Sequence, residues 1–194
     1  MRSVHHTRLP LIYAGLACVT VLSAQNFQPR RDLDVPYVPT TPEAVTAMLK
    51  LAHITNTDVV FDLGCGDGRI VIAAAKNFGA RGVGIDIDPV RIAEAKENAR
   101  KAGVEDLVRF EENDLFRADI HEASVVTLFL LSSVNLRLRP KLFQELKPGT
   151  RVVSNTFTMG DWQPSRESTV GGESEASYLS HRLYLWIVPF RHVN

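Results

Sequence analysis

The stretch that most constrains the fold is Val59-Val60-Phe61-Asp62-Leu63-Gly64-Cys65-Gly66-Asp67-Gly68-Arg69. Its first half is β-branched and aromatic, holds one acid and stops at glycine, the pattern of a buried strand. Three glycines then alternate with other residues, and a helical pattern begins at Ile70. Glycine lets backbone approach a ligand closely and take angles that a Cβ forbids. Strand, glycine turn and helix together make a nucleotide-type cofactor site. Arg69 occupies the place of the third glycine of a dinucleotide fingerprint, and the Gly-Lys-Ser/Thr of a phosphate-binding loop is absent. Read from these residues alone, the alternative is an ordinary glycine-rich βα turn.

The surrounding pattern sets that turn in a repeating architecture. Thr41 is placed to cap a helix and Pro42 to open it, with Val45, Met48, Leu49 and Ala52 as its apolar stripe. Strand and helix patterns then alternate: Val59–Leu63, Ile70–Asn77, Ala80–Asp86, Pro89–Ala102 and Val108–Glu112. A fourth strand is expected from Ser124 to Leu130, a helical region from Asn135 to Leu146 that Pro140 kinks or divides, and a fifth strand from Thr150 to Phe157. Such alternation predicts an α/β fold with a doubly wound, mostly parallel sheet. After Phe157 it stops. Gly160 to Glu175 is polar, with a short strand expected around Ser168 to Val170, and Tyr178 to Val188 reads as a final strand. Asp86 ends the second strand about 20 residues past the glycine loop, where open α/β folds place the acid that binds ribose hydroxyls. Asp88 reads as a helix cap before Pro89.

The Asp-x-Gly-x-Gly-x-Gly pattern resembles the first motif of class I S-adenosylmethionine (SAM)-dependent methyltransferases. The resemblance implies SAM as cofactor, a Rossmann-like sheet and an antiparallel closing hairpin. SAM lacks a pyrophosphate and carries an ammonium group that Asp62 can receive. It also implies that Asp114, in the run Asn113-Asp114-Leu115-Phe116, accepts from the adenine amino group while Leu115 or Phe116 covers the ring. The expected cofactor set is Asp62, Gly64, Cys65, Gly66, Gly68, Asp86, Ile87, Asp114 and Leu115.

Composition narrows the partners. The 194 residues suffice for one domain with a short extension, and formal net charge is zero. No basic stripe of the kind a nucleic-acid binder needs is present, so no nucleic-acid partner is expected. Cys18 and Cys65 suggest neither a disulfide framework nor a metal site, and the histidines, including His121 and His181, have no ligand spacing. Arg2 and Arg8 precede an uncharged, largely apolar run from Leu9 to Ala24, so residues 1–24 read as a cleaved export signal or a membrane anchor. The expectation is thus membrane association or export. The cytosolic origin of SAM favours an anchored domain facing the cytosol. Residues 25–36 read as a linker and 37–194 as the domain.

Further segments narrow the resemblance. Val35-Pro36-Tyr37-Val38-Pro39-Thr40, the stretch from Asp62 to Lys76, Val125 to Leu131 and Leu146 to Ser154 are similar to the archaeal broad-specificity protein-lysine methyltransferases. They also resemble, more distantly, the mitochondrial lysine methyltransferases of the ATP synthase c subunit. The resemblance implies methyl transfer to a lysine ε-amine of a protein partner. Tyr37, Thr40, Ser132, Ser133, Asn135, Asn155 and Trp162 are the candidates for the substrate channel, and Tyr37 and Trp162 could hold an amine by cation–π contact. Asn155 stands where these relatives lead one to expect histidine, and asparagine cannot take a proton. The alternatives are a small-molecule or lipid acceptor on the same fold, or a SAM-binding module without catalysis.

Overall fold

The computed structural model describes residues 37–171 and 181–190. The proposed leader (1–24), the linker (25–36) and the first residues of the expected final strand (178–180) lie outside the described residues. Helix α1 (Pro42–Leu51) is capped by Thr41, whose hydroxyl accepts from the Ala44 N–H at 3.3 Å, and Pro42 opens it. Strands β1 (Val59–Leu63), β2 (Arg81–Asp86), β3 (Val108–Glu112), β4 (Val125–Leu128) and β5 (Arg151–Asn155) pair in parallel. They are linked by α2 (Arg69–Phe78), α3 (Pro89–Ala102) and α4 (Ser132–Glu145). Strands β6 (Arg166–Val170) and β7 (His181–Ile187) close the sheet, β7 running antiparallel to both β5 and β6.

The seven strands lie in the order β3-β2-β1-β4-β5-β7-β6. All five residues of β1 and all four of β4 are buried, as expected of central strands covered on both faces. Alternate residues feed two cores. Val60 and Val125 join Met48, Leu49, Val71 and Ala95 from α1, α2 and α3. Phe61, Leu63 and Val126 join Val134, Leu138 and Leu142 of α4, with Trp186 fully buried among them. The doubly wound expectation holds, with the closing hairpin in place.

Several boundaries move. The α4 helix begins at Ser132, three residues before the expected start, and runs through Pro140 to Glu145 without division. Pro140 has no N–H to donate to the Leu136 carbonyl, and both residues are exposed. Strand β4 stops at Leu128 rather than Leu130, and β5 at Asn155 rather than Phe157. After β4 the chain leaves the sheet and Phe129 and Leu130 line the cleft described below. The short strand expected near Ser168 to Val170 starts at Arg166, two residues earlier.

A polar lock joins the amino ends of β1, β4 and β5. The Asp58 carboxylate accepts from the Ser124 hydroxyl at 2.7 Å and the Thr55 N–H at 2.8 Å, and pairs with Arg151. Arg151 also donates to the Ala52 carbonyl at 2.7 Å, which ties the end of α1 to the sheet. Burial works against the charged form of Asp58, but the Ser124, Thr55 and Arg151 donors outweigh it and hold the carboxyl below its usual range. The stability this group contributes is present above its unfolded value near 4 and lost as pH falls through the lower folded value. Asp58→Ala is expected to cost about 3 kcal/mol, since it leaves a half-buried guanidinium unpaired. Urea unfolding at pH 7 measures that loss, which should shrink toward pH 3. Cofactor affinity should not change, because the lock lies at the opposite edge of the sheet from the cleft.

Candidate functional site

The strand order reverses between β1 and β4, and the cleft lies beyond the carboxyl ends of these strands, where open α/β sheets bind ligands. It encloses about 1050 Å³ of empty space, part of it open to solvent. Three chain crossings form its floor. After β1 the chain turns through Gly64, Gly66 and Gly68, all with positive φ. The Gly64 and Cys65 N–H groups both donate to the Ile85 carbonyl, at 2.8 and 2.9 Å, locking the turn against β2. The Gly66 N–H donates to Asp86 Oδ2 at 2.8 Å, and Asp86 Oδ1 accepts from the Asp88 N–H at 3.0 Å. Two oxygens held by backbone still leave lone pairs for a diol.

The glycines here meet steric limits as well as conformational ones. A Cβ on Gly66 would collide with the Tyr37 ring, and one on Gly68 would stand 2.6 Å from the Phe110 ring. Tyr37 therefore seats directly on the glycine turn, with the Arg91 guanidinium 4.7 Å from its ring centre. Arg69 closes the same corner. Its guanidinium donates to both Asp67 oxygens, at 2.9 and 2.6 Å, and to the Thr40 carbonyl at 2.7 Å. The segment before α1 is thus strapped to the loop after β1. Burial opposes the Asp67 charge, and the Arg69 fork overcomes that, keeping the carboxyl below its usual range.

Asp62 is the electrostatic centre of the cleft. It is 3% exposed, and its Oδ1 accepts from the Thr127 hydroxyl at 2.7 Å. Burial pushes its carboxyl up to about 7, with Thr127 opposing and the charges of Asp86 and Asp67 adding to the rise. Burial also drives the neighbouring Cys65 thiol upward, so it stays neutral. A third acid, Asp114, sits past β3. Its Oδ1 accepts from the Phe116 N–H at 2.9 Å, which shapes the turn that brings Leu115 and Phe116 to the wall.

Of the residues singled out from the sequence, Tyr37, Thr40, Asp62, Gly64, Cys65, Asp86, Ile87, Asp114 and Leu115 all line this cleft. Gly66 and Gly68 form the turn beneath it. The other channel candidates lie elsewhere. Ser132 begins α4 at the rim, and Asn135 is fully buried below it, donating toward the Phe157 and Thr158 carbonyls. Asn155 is fully buried at the end of β5. Trp162 packs against Phe143 and Trp186, with ring centres 4.6 and 5.8 Å apart, and its carbonyl accepts from the Trp186 indole. Sequence reasoning missed Thr127, whose signal was a hydroxyl inside a buried apolar run. It also missed Asn113 and Phe129 in the wall, which carry no such signal.

Known proteins share this arrangement. The family model of the ANTKMT methyltransferase domain matches residues 62–166. A protein-lysine N-methyltransferase of Saccharolobus islandicus is 46% identical over 155 residues, covering 79% of this chain and 94% of that protein. The adenine nucleotide translocase lysine N-methyltransferase of Mus musculus is 36% identical over 132 residues, covering 68% of this chain and 57% of that protein. Among solved structures, an RNA methyltransferase from Salinibacter ruber in complex with S-adenosyl-L-homocysteine is 54% identical. Its TM-score is 0.73, and the match covers 80% of this chain and 96% of that one. With the glycine turn, the acids at successive strand ends and the sheet order all in agreement, the chain belongs to the ANTKMT methyltransferase-domain family and is a SAM-dependent methyltransferase.

Proposed function

We propose that the enzyme methylates lysine ε-amines of a protein, with the SAM ammonium at Asp62, the ribose at Asp86 and the adenine beside Asp114, Ile87 and Leu115. The 46% identity to the protein-lysine N-methyltransferase of Saccharolobus islandicus carries the acceptor class, and the charge of the cleft is compatible with it. The cleft is lined by Asp62, Asp67, Asp86, Asp88 and Asp114 against only Arg69 and Arg91, and both arginines are engaged, by Asp67 and Glu94. An excess of carboxylate attracts a sulfonium and an ammonium and repels phosphate.

The RNA methyltransferase of Salinibacter ruber raises RNA as a second reading, at higher identity. The acidic lining and the zero net charge weigh against it, since phosphate contacts need lysine and arginine.

Bound SAM supplies an electrophilic methyl group on a sulfonium. The chain's own part is to hold the acceptor in line with that methyl and to keep the amine neutral. Partly apolar walls favour the neutral amine, and Phe129, Leu130 and Val134 provide them. Tyr37 and Thr40 form the rim from the α1 side. The N-terminal reading is also a proposal. Residues 1–24 would export or anchor the domain, supported by the apolar run from Leu9 to Ala24. Among the described residues no helix is long and apolar enough to cross a membrane. Protease protection of the domain that survives removal of the outer envelope and is lost on lysis would support a cytosolic face, and protection by the outer envelope alone would overturn it.

The acceptor is tested by incubating the protein with tritiated SAM and separate protein, RNA and lipid fractions. Label should appear in protein bands and map to lysine. Label in RNA would establish the second reading. Asp62→Ala should weaken S-adenosyl-L-homocysteine binding about 10- to 100-fold by calorimetry, the worth of a hydrogen bond to a charged group. Binding should also depend on pH. An ammonium needs the ionised Asp62, whose value in the empty cleft is about 7. Affinity should therefore rise roughly tenfold from pH 6 to pH 8 and then level off, with proton release near pH 7. The sign for folding is opposite. A value raised above the unfolded one near 4 makes the empty protein lose stability as pH rises from 4 to 7.

A further inference from the structure

Among the described residues, three buried side-chain polar atoms have no hydrogen-bond partner: Asn135 Oδ1, Asn155 Nδ2 and His181 Nε2. Buried polar atoms are nearly always paired, so their collection in one region calls for a reason. All three residues stand at the carboxyl edge of the sheet. Asn135 is in the first turn of α4, Asn155 is the last residue of β5 and His181 is the first of β7. The antiparallel pairing of β5 with β7 brings His181 beside Asn155 across 26 residues of sequence. His181 also meets Phe129 edge-on, with ring centres 6.2 Å apart and planes at 78°, and Phe129 lines the cleft.

The hydrogen bonds define the imidazole. Asn155 Oδ1 accepts from the Thr156 hydroxyl at 3.0 Å and faces His181 Nδ1 at 3.0 Å. An oxygen in that position requires Nδ1 to carry the hydrogen, which leaves Nε2 with a bare lone pair. Thr156 is held with φ at 68°, a strained angle for a β-branched residue, and its N–H donates to the Arg182 carbonyl at 2.7 Å. The chain thus bends sharply where Asn155 must face His181. Strain of this kind persists where surrounding contacts enforce it, and it is common at functional sites.

We propose that His181 is the catalytic residue that receives the proton of the acceptor amine, with Asn155 as the positioning residue that fixes its tautomer. This rests on the lysine reading above. A lysine enters as an ammonium, and its N–H is transferred to His181 Nε2, giving a neutral amine and an imidazolium. The amine lone pair then forms the N–C bond as the C–S bond breaks, and the electron pair of that bond leaves on sulfur. The imidazolium returns its proton to solvent. Phe129 lines the cleft and touches the imidazole, so a cation held at its ring stands beside His181. Among the described residues, the groups set against His181 from its neighbours are uncharged: Asn155 from β5, Val170 from β6 and Phe129 from the segment after β4. The next residue along β7, Arg182, is exposed.

The test compares the full chain with its His181→Gln and Asn155→Ala variants, using as acceptor the protein labelled in the tritium assay. At pH 7.5, His181→Gln should lower kcat at least 100-fold, the usual worth of a positioned base. S-adenosyl-L-homocysteine affinity should stay within twofold, which also shows that the variant is folded. The deficit should shrink as pH rises to 9.5, because more of the acceptor lysine is then neutral without help. Asn155→Ala should lower kcat about tenfold while leaving KM for SAM unchanged. A kcat within threefold of the parent for His181→Gln would overturn the proposal. So would a deficit of equal size at every pH, which would mark the ring as packing. Absence of lysine labelling by the unmutated enzyme would sink the lysine reading itself, and this role with it, before any variant is compared.

Discussion

The hydrogen bond from the Gly66 N–H to the Asp86 carboxylate couples the two loops on which the cleft depends. Gly66 makes it from a positive-φ conformation that suits glycine, and the bonded Asp86 lines the cleft. The same turn accepts the Tyr37 ring on its outer side, so the segment before α1 becomes a wall of the cleft. Arg69 completes this by joining Asp67 to the Thr40 carbonyl. Loop, second strand and N-terminal strap therefore form one mechanical unit. A side chain at Gly66 would strain all three.

Electrostatics gives that unit its selectivity. Asp62 is buried beside two further carboxylates, so its charged form is costly until a cation arrives. Desolvation that makes the empty cleft unfavourable for a carboxylate makes the filled one favourable for an ammonium. The arginines near enough to balance the acids are already committed, Arg69 to Asp67 and Arg91 to Glu94. The cleft is thus left acidic in a protein whose overall charge is zero.

Two sides of the sheet's carboxyl edge are built differently. The cofactor end is built from loops after β1, β2 and β3, all close in sequence to the glycine motif. Where α4, β5 and β7 meet at that edge, polar groups of Asn135, Asn155 and His181 are buried and incompletely paired. Trp162 shows why residue type alone misleads at this end. It suits an amine by chemistry, yet it packs against Phe143 and Trp186 in the second core.

Local pattern was enough to set the sheet and the cofactor loops. Strand and helix periods are short-range, and the glycines, Asp62, Asp86 and Asp114 fall at strand ends that the same periods locate. The ends of β4 and β5 were less legible, because Phe129 and Phe157 continue an apolar pattern after the chain has left the sheet. That Pro140 does not divide α4 was not legible, because the exposed position it takes is decided by tertiary packing. His181 was invisible for the same kind of reason. A lone histidine at the start of a strand has no signal until antiparallel pairing sets it against Asn155, and pairing between distant strands is set by the closed sheet, not by any local pattern.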